Sequence, residues 1–219
     1  MPEAVLFDLD GVIVDSESAW AKAKHDLVEE AGGSWKPEAT RAMLGMSSPE
    51  WSRYLREELG VPLSVEEINA AVVATLERRY RETLPLIPGA VDAVRRIAGG
   101  WQLGLASSSN REIIDLVLEH AGLTDAFAVT VSSEEVARGK PAPDVYVEAA
   151  RRLGADPARC VAIEDSSNGL RSAAAAGTAV VAIPNREFPP GPDALTLADV
   201  VLGSIEELTP AVVAQLRRA

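Results

Sequence analysis

Short apolar runs alternate along this chain with longer stretches of helical period, and that alternation limits the architectures open to it. Strand candidates fall at residues 4–7, 102–106, 128–131, 160–163 and 179–183, with a weaker one at 199–202. They are apolar nearly throughout, the pattern of parallel strands covered on both faces. Helical periodicity marks residues 90–98, 111–120, 145–153 and 168–176. The chain therefore reads as α/β: a doubly wound, mainly parallel sheet with right-handed crossovers.

One stretch breaks the rhythm. Between Ser16 and Leu84 there is no strand candidate, while Trp20, Ala23, Leu27, Val28 and Ala31 follow helical spacing, as do Val65, Ile68, Val72, Leu76 and Tyr80. Ser64 and Glu67 form a capping-box pattern at the start of the second of these helices. Ser48-Pro49 reads as an N-cap followed by proline at the first helical position. We expect an all-helical cap domain at residues 16–83, inserted into a core domain built from 1–15 and 84–219, with hinges near 14–17 and 83–88. The Pro/Gly-rich stretch 184–192 reads as a loop beside the sheet.

The formal net charge of -12 disfavours nucleic acid and anionic membranes as partners, since both need a basic surface. It leaves room for a small anionic substrate, because a local cation can reverse the field inside a pocket. The single cysteine, Cys160, lies in an apolar run and reads as a buried thiol. No signal-peptide pattern and no run of membrane-spanning length is present, so a soluble cytoplasmic protein is expected. No dimerisation signal is evident, and a monomer is expected.

In doubly wound sheets, ligands bind outside the carboxyl ends of the strands. The first run leads into Asp8-Leu9-Asp10-Gly11-Val12. Two carboxylates two residues apart share a face on a regular strand and repel, unless a cation lies between them or they divide acid and base roles. The other exits carry Ser107-Ser108-Ser109-Asn110, Gly139-Lys140-Pro141-Ala142-Pro143-Asp144 and Glu164-Asp165-Ser166-Ser167-Asn168-Gly169. Carboxylates suit a hard divalent cation such as Mg²⁺. Lysine, hydroxyls and helix-start N–H groups suit a phosphoryl group. Asn168-Gly169 reads as turn and cap chemistry.

These motifs, in this order, resemble the haloacid dehalogenase-like (HAD) superfamily, in the helical-cap branch with β-phosphoglucomutase and sugar-phosphate phosphatases. The resemblance covers nearly the whole chain and implies a Rossmann-like core. It implies that Asp8 attacks phosphorus and forms an aspartyl-phosphate, with Asp10 as general acid and then base. Mg²⁺ would be held by Asp8, the Asp10 carbonyl and Asp165, with Glu164 tuning the metal or reaching it through water. Ser107 and Lys140 would hold the transferring oxygens, helped by Gly11, Ser108 and Asn110, and Lys140 would pair with the acidic cluster.

The cap of such enzymes reads the leaving group. Glu17, Trp20, Lys24, His25, Met46, Ser47 and Trp51 are the residues that could face it, with cap core as the other reading of Trp20 and Trp51. Lys22, Lys24, Lys36 and His25 read as solvated. β-Phosphoglucomutase has a histidine where Trp20 stands, and a cap arginine where this chain has Leu44-Gly45-Met46-Ser47-Ser48. Both departures favour a phosphatase, acting on a small phosphorylated metabolite such as a sugar phosphate or phosphoglycolate, over a phosphosugar mutase. Asp10 argues against dehalogenase and phosphonate-hydrolase chemistry. A non-enzymatic phospho-aspartate signalling domain is the remote alternative, disfavoured by the chain's length and its helical insertion.

Overall fold

The computed structural model describes residues 1–43 and 46–216. Six strands form one all-parallel sheet: β1 (Ala4–Phe7), β2 (Gln102–Ser107), β3 (Val129–Ser132), β4 (Cys160–Glu164), β5 (Ala179–Ala182) and β6 (Val200–Val201). Their order is β3-β2-β1-β4-β5-β6. The six expected runs are all strands, with ends moved by a residue or two. Successive side chains divide between the faces as a two-residue period requires. Val5 and Phe7 join Val161, Ile163 and Val181 in one core cluster, whereas Ala4 and Leu6 join Ala162, Val180 and Ala182 in the other. Every residue of β1 is buried, as expected of a central parallel strand.

Residues 17–82 carry four helices and, among the described residues, no strand: α1 (Glu17–Glu30), α2 (Ala39–Ala42), α3 (Ser48–Glu57) and α4 (Val65–Glu82). Ser64 accepts from the Glu67 N–H at 3.1 Å and Glu67 Oε2 accepts from the Ser64 N–H at 2.8 Å, the expected capping box. The cap of α3 differs from expectation. Ser47, not Ser48, is the N-cap, and its N–H donates to Glu50 Oε2 at 2.8 Å. Proline therefore stands one position further in. Glu50, three residues after Ser47, was the signal for that register.

The remaining helices cover the sheet: α5 (Ala90–Ala98), α6 (Arg111–Ala121), α7 (Asp144–Leu153), α8 (Ser167–Ala175), α9 (Pro192–Leu195) and α10 (Pro210–Gln215). The short α2, α9 and α10 have too few turns to show a period. Part of the 184–192 segment leads directly into α9, and the rest is loop. Cys160 is buried, as expected. No helix among the described residues is long and apolar enough to cross a membrane.

The strand order places the topological switch point between β1 and β4. Phe7 is in register with both Leu105 and Ile163, so the exits of β1, β2 and β4 lie at one level. That alignment brings Asp8, Ser107 and Glu164 to one edge of the sheet.

Candidate active site

Asp8, Glu164 and Asp165 converge at the switch point, all buried, with one carboxylate oxygen of each within 4.8 Å of the others. Lys140 reaches into the cluster from the loop before α7. Its ammonium donates to Glu164 Oε1 at 2.6 Å and lies 2.9 Å from Asp8 Oδ1. The Asp8 contact is an ion pair without an aligned hydrogen bond, so Asp8 Oδ1 keeps no hydrogen-bond donor. Burial and the charge of Glu164 push Asp8 up to about 8, against the pull of Lys140. Burial and then Glu164 and Asp8 raise Asp165 well above the usual carboxylate range. Burial alone would lower Lys140, but Asp8 and Glu164 outweigh it and hold the ammonium charged well above its ordinary value.

Glu164 is the most heavily bonded of the three. Tyr146 donates to Oε1 at 2.8 Å, while the N–H groups of Asp165 and Ser166 donate to Oε2 at 3.0 and 3.3 Å. Its carboxylate folds back onto the first turn of α8. A Cβ on Gly169 would stand 1.9 Å from it. Ser166 is the N-cap of that helix and accepts from the Gly169 N–H at 3.1 Å. Gly11 has φ 74°, and a Cβ there would stand 1.9 Å from Asp165 Oδ2. Glycine is required twice over at this turn, for conformation and for approach.

The donor set fits a hard divalent cation. All three groups are carboxylates, and together they carry more negative charge than the single Lys140 ammonium offsets. The Asp8 carboxylate, whose Oδ1 accepts no hydrogen bond beside Lys140, and the Asp165 carboxylate lying against Gly11 are the groups left to hold it. Both Glu164 oxygens already accept hydrogen bonds.

Asp10 stands apart from that cluster, gripped from both sides. Ser16 Oγ donates to Oδ1 at 2.5 Å and Trp20 Nε1 to the same oxygen at 3.2 Å. Ser109 Oγ donates to Oδ2 at 2.6 Å, with Ser107 Oγ at 3.4 Å. Trp20 thus anchors to the core carboxylate while its ring packs in the cap, 5.9 Å from that of Trp51. Ser107 also accepts from the Ser109 N–H at 3.0 Å. The Ser108 hydroxyl is buried without a partner at the same edge.

Other expected residues lie elsewhere. The Asn110 carboxamide spans the cap–core seam: it accepts from Ser48 Oγ at 2.7 Å and donates to Asn69 at 3.2 Å and Glu134 at 2.7 Å. Ser47 donates its hydroxyl to Glu50 at 2.6 Å, within its own helix cap. Lys24 is not solvated: it is 8 % exposed, with its ammonium beside the rings of Trp20 and Trp51. Burial removes it from water because Lys24 shares the buried face of α1 with Trp20, against Trp51 of α3. Lys22 and Lys36 do sit at the surface, paired with Asp26 and Glu58. His25 is partly exposed, with its ring 4.9 Å from that of Trp35. Glu17 lines a cleft between cap and core with Asp10, Trp20 and Lys24. Leu44 and Gly45 of the cap loop lie outside the described residues.

Sequence reasoning missed Ser16, Ser109 and Tyr146. Ser16 and Ser109 are short polar residues whose shared partner, Asp10, lies six positions from the first and 99 from the second. Tyr146 had a usable signal: a tyrosine on the buried face of a helix needs a hydroxyl partner.

The comparisons with known proteins agree with this geometry. A model of the haloacid dehalogenase-like hydrolase family matches residues 2–177. Hexitol phosphatase B of Escherichia coli (strain K12) is 35% identical over 212 residues, covering 94% of each chain. The crystal structure of CbbY from Rhodobacter sphaeroides in complex with phosphate superposes with a TM-score of 0.87 at 30% identity, covering 98% of this chain and 100% of that one. The β-phosphoglucomutase structure from Clostridium difficile gives a TM-score of 0.83 at 25% identity, over 98% and 96% of the two chains. With its parallel core, its helical cap and its acidic cluster at the switch point, the chain belongs to the haloacid dehalogenase-like hydrolase family and is an enzyme of its phosphatase branch.

Proposed function

We propose that this protein hydrolyses the phosphomonoester of a small sugar or related metabolite through an aspartyl-phosphate on Asp8. The observation that carries the reading is the pairing of Asp8 with Lys140 at the switch point, next to a second aspartate held by donors from both cap and core. Asp8 Oδ1 accepts no aligned hydrogen bond and faces the Lys140 ammonium at 2.9 Å, so the carboxylate is held beside a cation where it would act as nucleophile. Lys140, fixed by Glu164 and Tyr146, holds its charge where the phosphoryl oxygens would lie. The Ser107 and Ser108 hydroxyls stand at the same edge, and that of Ser108 still lacks a partner.

Asp10 would give its proton to the leaving alcohol and later take one from water. The hydroxyls of Ser16 and Ser109 suit both states, because a hydroxyl can donate to a carboxylate or accept from a carboxylic acid. Mg²⁺, when held by Asp8, Asp165 and the Asp10 carbonyl, supplies charge neutralisation between the anionic substrate and the anionic nucleophile. Glu164 would act mainly by placing Lys140. Residues 16–83 would work as the cap that excludes water and reads the leaving group.

The test is phosphate release over a panel of hexose phosphates, hexitol phosphates and phosphoglycolate, with and without Mg²⁺. The reading requires metal-dependent release from sugar phosphates. Interconversion of hexose phosphates without release would instead make the protein a mutase, despite Trp20 at the cap position.

A further inference from the structure

Among the described residues, nothing satisfies the charge that Lys24 carries. Its ammonium has three donors. Among the described residues it makes no hydrogen bond or close ion pair, and what flanks it are aromatic faces, Trp20 at 5.3 Å and Trp51 at 5.0 Å to the ring centroids. Ring faces stabilise a cation but leave its N–H groups unsatisfied. A side chain more than nine-tenths buried in that condition is costly unless something else accepts from it.

The place is informative. Lys24 lines a cleft of about 70 Å³ that also touches Asp10, Glu17, Trp20, Trp51 and Ser108. On the reading above, Asp10 protonates the leaving oxygen, so the cleft beyond Asp10 is where the leaving group lies. Burial pushes Glu17 up to about 7 and Lys24 down to about 8, each charge opposing the shift in the other. Lys24 and Glu17 nearly cancel in charge and Asp10 adds a further carboxylate, so the cleft does not favour a second anion. It favours hydroxyls, which donate and accept in turn, while the tryptophan rings cover the C–H surface.

We propose that Lys24 and Glu17 form a polyol subsite, Lys24 donating to and Glu17 accepting from hydroxyl groups of a neutral sugar or sugar-alcohol leaving group. This rests on the phosphatase reading and deepens it: neutral polyol monophosphates are selected over bisphosphates and over phosphorylated acids.

The experiment compares wild type, Lys24→Met and Glu17→Gln on glucitol 6-phosphate, on 4-nitrophenyl phosphate (whose leaving group has no such hydroxyls) and on phosphoglycolate. Retained melting temperature checks the fold of each variant. One hydrogen bond to a charged group is worth about tenfold or more in binding. Lys24→Met should therefore lower kcat/KM for glucitol 6-phosphate about tenfold or more relative to 4-nitrophenyl phosphate, mainly through KM. Glu17→Gln should lower the same ratio and improve phosphoglycolate relative to the polyol ester. Binding is read independently, by tryptophan fluorescence titration of glucitol 6-phosphate into Asp8→Asn with and without Lys24→Met, where Kd should rise by a similar factor. An unchanged ratio with unchanged Kd, or a loss greatest for phosphoglycolate, overturns the proposal. If wild type turns over none of the esters, the phosphatase reading fails, and the Kd pair still decides the subsite.

Discussion

Gly169→Ala is the most revealing small change the structure offers. Gly169 sits in the first turn of α8 without a positive φ, so alanine costs nothing in backbone conformation there. Its Cβ, however, would stand 1.9 Å from the Glu164 carboxylate, against about 3.4 Å for ordinary contact. Glu164 must retreat by about 1.5 Å, and it is pinned by Lys140 at 2.6 Å and Tyr146 at 2.8 Å. Overpacking of a tight core costs about 1–3 kcal/mol. Losing a hydrogen bond to a charged group costs about 1.5–3 kcal/mol. The two overlap, since retreat relieves the clash by breaking the bond, so about 2–4 kcal/mol is expected. For a chain of this size that lowers Tm by roughly 5–15 °C. The control is Gly100→Ala, whose Cβ would meet nothing closer than 3.9 Å. Thermal unfolding followed by circular dichroism measures both. If the two variants melt within about 1 °C of each other, Glu164 is not clamped as described and the account of Lys140 placement is wrong.

Other consequences follow from the same contacts. Lys140→Met should cut kcat about 100-fold or more, as expected when a preorganised donor to the reacting oxygens is lost. It also removes the cation that lowers Asp8, so the folded pKa of Asp8 rises further above about 8. Stability from such raised carboxyls is full below their unfolded pKa and is lost as pH rises, so this variant's deficit in chemical denaturation should be smaller at pH 5 than at pH 8. Ser109→Ala frees one Asp10 oxygen from its 2.6 Å donor and should lower kcat more than it raises KM, measured under saturating substrate. Burial, with Glu3 and Asp156 adding to it, pushes the Cys160 thiol up to about 11. Its contribution to stability is intact below its ordinary value of 9 and is lost as pH rises towards about 11. Alkylation by iodoacetamide at pH 8 should be slow in the native protein and fast in urea.

Much of the fold was legible because burial on both faces writes itself into short apolar runs, as at 160–163. The cluster of Asp8, Lys140, Glu164 and Asp165 was legible because strand exits and the loops after them concentrate polar groups. Part of what escaped notice depends on distance in sequence. Ser48 and Asn110 meet across 62 positions, and neither has a local signature for the cap–core seam. Ser109 and Ser16 reach Asp10 from opposite sides, and a serine's single hydroxyl predicts no partner. Lys24 was misread because charge is an unreliable guide to exposure where aromatic faces are at hand. Its spacing from Trp20, four residues on one helix face, carried the better signal.

The most direct test of the central claim is acid-quenched peptide mapping during turnover of a sugar phosphate with Mg²⁺, beside initial rates of phosphate release for wild type and Asp8→Asn. A phosphoryl group on Asp8 in wild type, with release abolished in the variant, is the predicted result. Substantial release by Asp8→Asn, or phosphate trapped on another residue, would contradict it.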